Sequence, residues 1–329
     1  MFGLIGFSCG VLHIDALQTF YKFQNSSFYN YIGVLGYING TSSDLANIVV
    51  QMIMSQQQVT EYVGALAGVL LALIQSINSL IIENSNITSS YTAGLVASIS
   101  SNININMVNI RNSSINCSFN TLSSSGAAVA GSIIGQVKDN THNVNNQIQV
   151  NIMQCIIYGT SLYSYHNHNW SLAGGIIGDS HITPLSIQQT IVNKSDIQAY
   201  GPVTKVVAAS GLVSLLYNQN NICLSNINVC NSYLKASSNI SQYSSCSGVF
   251  SHVVEIDAQS SVSLSLNNTI LSNITLIVNG RTIISGIILS NNKILEFFAT
   301  QVSTDGNNTI NSVVVPNCAS IINPSQRGC

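Results

Sequence analysis

The chain has 329 residues, of which 46% are apolar and only 6% charged, with nine Lys and Arg, eleven Asp and Glu, and a net charge of -2. Disorder is excluded, since disordered chains are poor in apolar residues and rich in charge. So is a face that neutralises phosphates on a nucleic acid or an anionic lipid surface, because that needs clustered cations. With a mean hydropathy of +0.34, solubility must come from the asparagines and serines spread along the chain.

Residues 1–90 are the least regular third. Gly3-Leu4-Ile5-Gly6-Phe7-Ser8 lacks the basic flank and cleavage motif of a signal peptide. It reads instead as a weak copy of a motif found further on, which leaves open an array whose start lies upstream of Met1. Ser43-Asp44 followed by Leu45, Ile48, Val49, Met52, Ile53 and Met54 fits a capped amphipathic helix. The β-branched residues Ile48, Val49, Val50, Ile53, Val59 and Val63 favour strand, so the region is read as degenerate repeats with a short helix as the alternative. The apolar run Val63–Ile74 falls short of the roughly 20 residues that span a bilayer.

Residues 91–315 carry a regular mark. Ala173-Gly174-Gly175-Ile176-Ile177-Gly178 returns as Thr92-Ala93-Gly94-Leu95-Val96-Ala97, Ala130-Gly131-Ser132-Ile133-Ile134-Gly135, Ala209-Ser210-Gly211-Leu212-Val213-Ser214, Cys246-Ser247-Gly248-Val249-Phe250-Ser251 and Ile284-Ser285-Gly286-Ile287-Ile288. Weaker copies centre on Gly3, Gly33, Gly68 and Ser320. A second mark follows the first, an amide in Asn112-Ser113, Gln154-Cys155, Asn193-Lys194-Ser195 and Asn231-Ser232. The residues before it alternate, as do Val262, Leu264 and Leu266 among serines, which is the period of a half-buried strand. A unit of about 35 residues that cannot bury its apolar face alone must stack on the next. The fold expected is all-β, a parallel β-helix or β-solenoid of about ten repeats. Stacking in register predicts an amide ladder of Asn112, Gln154, Asn193 and Asn231, and glycines that permit a tight bend or close approach. Residues 316–329, with Pro316, Pro324, Cys318 and Cys329, read as a C-terminal cap.

The two marks together, Gly-Leu-Val or Gly-Gly-Ile-Ile-Gly followed by a strand and then Asn-Ser-Tyr, resemble the GLUG-type repeats of adhesin-like β-solenoid surface proteins, over residues 92–290. The resemblance implies a secreted or surface-anchored structural or adhesive module and brings no catalytic residues. The spacing is longer than that of the compact repeat in that family.

Chemistry is sparse. Glu255 and Asp257 share a strand face, with Lys293 at the equivalent place one repeat later, and a polysaccharide-processing β-helix enzyme using them is the alternative to a non-enzymatic protein. A solvated or paired set of charges accounts for them equally simply. Tyr163, Tyr165, His166, His168 and Trp170 form the candidate binding loop, an aromatic platform for a glycan or protein partner, placed in the longest interval between marks. The two histidines lack the further ligand that a metal needs, so neither metal nor cofactor is expected. Cys117 and Cys155 stand at equal distances from their marks and are a candidate disulfide, with free thiols as the alternative; Cys318 and Cys329 are a second candidate pair. The sequons at Asn25, Asn39, Asn86, Asn112, Asn116, Asn169, Asn193, Asn239, Asn267, Asn273 and Asn307, with eight cysteines, point to an extracellular or cell-surface setting. A passive spacer from a longer array is the remaining alternative.

Overall fold

A computed structural model of the chain describes residues 5–9, 11–24, 31–39, 42–55, 62–71, 74–119, 126–138, 148–181, 184–217, 221–239, 243–254, 263–279, 283–286, 289–290, 296–303, 308–310, 313–315 and 321–322. Their regular structure is all β, in two large sheets, with no helix among the described residues. The region with a possible helix forms the strand Ser42–Ser55 instead. Pairing on both sides, with Gln18–Gln24 and with Ile74–Glu83, outweighs the helical spacing of its apolar residues.

One repeat shows the plan. It runs through the strands Trp170–Gly174, Ile177–His181, Leu185–Asn193 and Asp196–Tyr200. Each pairs in parallel with its counterpart in the next repeat: Trp170 lies opposite Val206, Ile177 opposite Val213, Leu185 opposite Ile222 and Asp196 opposite Tyr233. The same relation holds from Ile5 opposite Leu35 to Leu289 opposite Ile321. Among the described residues one pair is antiparallel, Asn308–Ile310 with Val313–Val315. The first two strands of each repeat belong to one sheet and the last two to the other.

The first sheet holds the glycine mark and is buried on both faces. Ala173, Val207 and Ala209 join the main core, whereas Leu172, Val206, Ala208 and Leu215 close a second apolar cluster on the other side. Small residues let these strands lie between two packed layers, and a sheet covered on both sides loses the apolar-polar alternation. The two large residues of the marks at Gly94, Ser132, Gly175, Gly211 and Gly248, such as Ile176 and Ile177 or Val249 and Phe250, are fully buried in the main core. Glycine is required by contact: a Cβ on Gly174 would fall 1.8 Å from the Ile177 carbonyl oxygen, and one on Gly211 would fall 2.1 Å from that of Gly248.

The register corrects two of the marks. Gly94 lies opposite Gly64 rather than Gly68, and Gly286 lies opposite Ser247, one place before Gly248. With Gly64 in place, the early repeats fall into even steps, since Ile32 lies opposite Val63 and Val63 opposite Ala93. Gly3 and Ser320 lie outside the described residues.

The second sheet is buried on one face and wet on the other. In Asn102–Arg111, for example, Ile103, Ile105, Val108 and Ile110 are buried while Asn102, Asn104 and Met107 are exposed. The change of phase inside that strand has a cause. Two bends per repeat place a residue in the left-handed region, at Ser79 and Asn84, Met107 and Asn112, Gln154 and Gly159, Gln189 and Lys194, Asn226 and Asn231, and Asn268 and Asn273. Asparagine tolerates that conformation better than other side chains with a Cβ. This is why it recurs at the second mark. The residue after the second bend is a buried hydroxyl: Ser85, Ser113, Thr160, Ser195 and Ser232 donate to the carbonyls of Glu83, Arg111, Tyr158, Asn193 and Cys230. Backbone N–H groups of the preceding repeat donate to some of the same oxygens, as Ser195 does to Ser232 at 3.3 Å.

The four amides of the expected ladder do not share one position. Asn112 and Asn231 occupy the second bend, Gln154 the first, and Asn193 the residue before the second bend. Asn231 Nδ2 donates to Asn193 Oδ1, and Asn273 Nδ2 to Asn231 Oδ1, both at 3.1 Å. Side-chain ladders thus form locally, on bends set by the backbone.

Gly211→Ala should cost about 2 to 3 kcal/mol of stability, because the added carbon meets backbone rather than a side chain that can move. Urea unfolding followed by circular dichroism measures it, with the exposed Asn239→Ala as a control expected to change little.

Candidate functional site

The five residues of the candidate binding loop separate into two environments. Tyr163 and Tyr165 lie on the strand Ser161–His166, where alternate residues face outward. Tyr163 is 36% exposed. Tyr165 lies opposite Tyr200 of the next repeat, with ring centroids 5.6 Å apart at 26°, and its hydroxyl donates to Asn167 Oδ1. Beside them Ser161 lies opposite Asp196 and Tyr163 opposite Gln198. Gln198 Nε2 donates to both Asp196 carboxylate oxygens, at 2.9 and 3.0 Å. Tyr200, Asp196 and Gln198 were legible in principle, because they stand one repeat of 35 residues after Tyr165, Ser161 and Tyr163.

His166 and Trp170 point elsewhere. His166 is fully buried and stacks on Phe119 with centroids 4.8 Å apart. Its Nδ1 accepts the backbone N–H groups of His168 and Asn169, at 3.0 and 2.9 Å, so the imidazole ties the corner between the two sheets. Burial, with a smaller contribution from neighbouring His168, lowers its pKa to about 4. Trp170 packs on the second apolar cluster. The expectation of an exposed loop in the longest interval is therefore corrected. The additional residues lie before Val150, since Ile99 is opposite Val137 whereas Ile103 is opposite Val150.

A buried polar cluster escaped the sequence reading. Asp179, 2% exposed, accepts Gln136 Nε2 at 2.7 Å, and His181 Nε2 lies 2.9 Å from the same carboxylate oxygen. The His181 ring packs against Tyr217 at 4.8 Å. Nearby Lys138 donates to the Tyr62 hydroxyl at 2.6 Å, with its ammonium 4.9 and 5.2 Å from the Tyr62 and Tyr91 ring centroids. Burial raises the Tyr91 pKa against the pull of Lys138. A carboxylate that orients an imidazole is part of a general-base arrangement. Here the position opposite Asp179 is Leu215 and that opposite Gln136 is Ser98, so the cluster fills space that other repeats fill without charge. Lone polar residues inside an apolar pattern give no period to detect.

Among the described residues no three His, Cys, Asp or Glu side chains gather to hold a metal ion. Glu255, Asp257, Lys293, Cys318 and Cys329 lie outside the described residues. Cys117 and Cys155 are both free and buried. Cys117 lies opposite Ser164, its thiol donating to the Tyr91 carbonyl at 3.0 Å, while Cys155 closes a bend on the Met153 carbonyl at 3.3 Å. Of the two alternatives the free thiols hold: the additional residues before Val150 break the equal offset on which the candidate disulfide rested.

No known protein-family model, curated protein sequence or solved structure matches the chain.

Two outcomes follow for the titrating groups. Burial pushes the Cys117 and Cys155 thiols up to about 12, so iodoacetamide at pH 8 should modify exposed Cys9 and Cys223 and spare these two until the protein unfolds. His166 binds its proton more weakly folded than unfolded, so its contribution is complete above about pH 6.5 and is lost as pH falls towards 4. The loss between pH 7 and pH 5 should reach about 2 kcal/mol in urea titrations. His166→Asn, which keeps an acceptor but does not titrate, should remove that part of the slope.

Proposed function

We propose that the chain is a β-solenoid of about ten repeats of roughly 35 residues, akin to the GLUG-type repeats, and that it serves as a non-enzymatic secreted or cell-surface module for adhesion or structural display. The observation that carries this reading is the parallel register. From Ile5–Ser8 to Asp196–Tyr200 the described strands pair in parallel with counterparts one repeat away, which supports one continuous stacked body. The outer face of the second sheet carries few charges, with asparagine, serine and tyrosine beside exposed Ile81, Ile156 and Ile191. It suits display to water and contact with neutral partners.

The extracellular part of the proposal draws on the sequons. The side chains of Asn39, Asn86, Asn112, Asn239, Asn267 and Asn273 are exposed. Neighbouring repeats of a longer array are the partners the geometry suits best, because parallel edges accept further strands.

Small-angle X-ray scattering on the purified chain should give a rod on the order of 50 Å long, from ten repeats at about 4.8 Å each. Secretion from a eukaryotic host should give a product whose mass falls on enzymatic removal of N-linked glycans. A globule of two separate bodies would sink the architecture. Release of reducing ends from polysaccharides, abolished by Glu255→Ala, would sink the non-enzymatic role.

A further inference from the structure

The outward face of two consecutive repeats carries more chemistry than a solvated surface requires. On Ser161–His166 and Asp196–Tyr200 the outward residues form a grid, with Ser161 beside Asp196, Tyr163 beside Gln198, and Tyr165 beside Tyr200. Neighbouring strands lie about 4.8 Å apart and alternate residues about 7 Å apart along each strand. Three tyrosines therefore meet over an area comparable to that of two linked pyranose rings. Their orientation is set in advance. Tyr165 is stacked on Tyr200 and anchored through its hydroxyl to Asn167, and Asp196 is gripped by the Gln198 amide on both oxygens. Burial, with smaller electrostatic contributions from Tyr165 and Tyr200, raises the Tyr163 pKa.

These groups select a class of ligand. Aromatic faces suit the C–H faces of sugar rings, while a fixed carboxylate accepts hydroxyl donors at the ring edge. Lys235 lies opposite Gln198 in the next repeat, so one carboxylate and one ammonium leave the face without a net charge that would favour a phosphate or sulfate, and an apolar partner would strip water from Asp196 and Gln198. We propose that Tyr163, Tyr165, Tyr200, Asp196 and Gln198 form a binding site for a neutral oligosaccharide. The site deepens the adhesive reading above and rests on it, since an adhesive module needs a surface that recognises something. It uses Tyr163 and Tyr165 of the candidate loop and releases His166 and Trp170 from it. Ordered side chains lower the entropic cost of binding.

The test is a panel of soluble neutral oligosaccharides of two to six sugars, titrated against the intact chain by calorimetry and by saturation-transfer NMR. The expected result is saturable binding of at least one of them, weakened at least tenfold by Tyr163→Ala and by Asp196→Asn and unchanged by Ile191→Ser, which lies on the same sheet's outer face away from the grid. Circular dichroism and the melting temperature should match the parent chain for every variant. No saturable binding across the panel, or binding that survives both Tyr163→Ala and Asp196→Asn, would overturn the site. In either case a rod-shaped scattering profile would leave the display reading standing. Loss of the rod would instead remove that reading independently of any sugar.

Discussion

Parallel pairing in register is the constraint on which everything else depends. When a strand must lie opposite its own counterpart about 35 residues away, each side chain meets its equivalent at a distance of about 4.8 Å. A charge repeated at that spacing would repel its copy, which gives a physical reason for a chain with so few charges. Asparagine, serine and small apolar residues do the opposite, since each can bond to or pack on its equivalent. The bonds donated by Asn273 to Asn231 and by Asn268 to Asn226 are the direct expression of that rule.

The two sheets solve the burial problem differently. The glycine-marked sheet lies between the main core and a second apolar cluster, and packs small residues such as Ala173, Ala208 and Gly174 beside larger ones such as Leu172 and Ile177. The other sheet covers the core with one face and turns the second to water, so it can vary its outward residues freely. Recognition chemistry belongs on that face. Tyr163, Tyr165 and Tyr200 stand there, whereas Asp179 and His166 spend their polarity on closing the inside.

Much of the architecture is written in simple patterns. Two small residues, a glycine and two large aliphatics describe a bend followed by a core plug, and the structure places Gly211, Leu212 and Val213 in that way. The amide mark was equally visible, yet its cause was not, because a sequence shows that asparagine recurs without showing that its backbone has turned left-handed. Counting from a mark worked where repeats had equal length, as between Tyr165 and Tyr200. It failed across the longest interval, where an expected match of Cys117 with Cys155 gave way to Cys117 with Ser164. His166 reads as part of the binding loop because it stands between Tyr165 and Trp170 in the longest interval between marks. Only the packing of Phe119 against it reveals a corner tie.

The two left-handed bends keep a constant separation from Ser79 and Asn84 through Asn268 and Asn273, while the distance from one repeat to the next varies. Among the described residues most length is thus gained or lost where the chain passes between the sheets, with a one-residue shift between Gly94 and Val96, and none between the bends. Such a body carries its own ruler. Insertions at the crossings leave the hydroxyls of Ser113, Thr160 and Ser195 stacked as before, so evolution can add or exchange whole segments there without renegotiating the core. A single residue inserted between the bends would instead turn every following side chain of that strand to the wrong face. The molecule therefore separates the part of its sequence that can diversify from the part that must be copied.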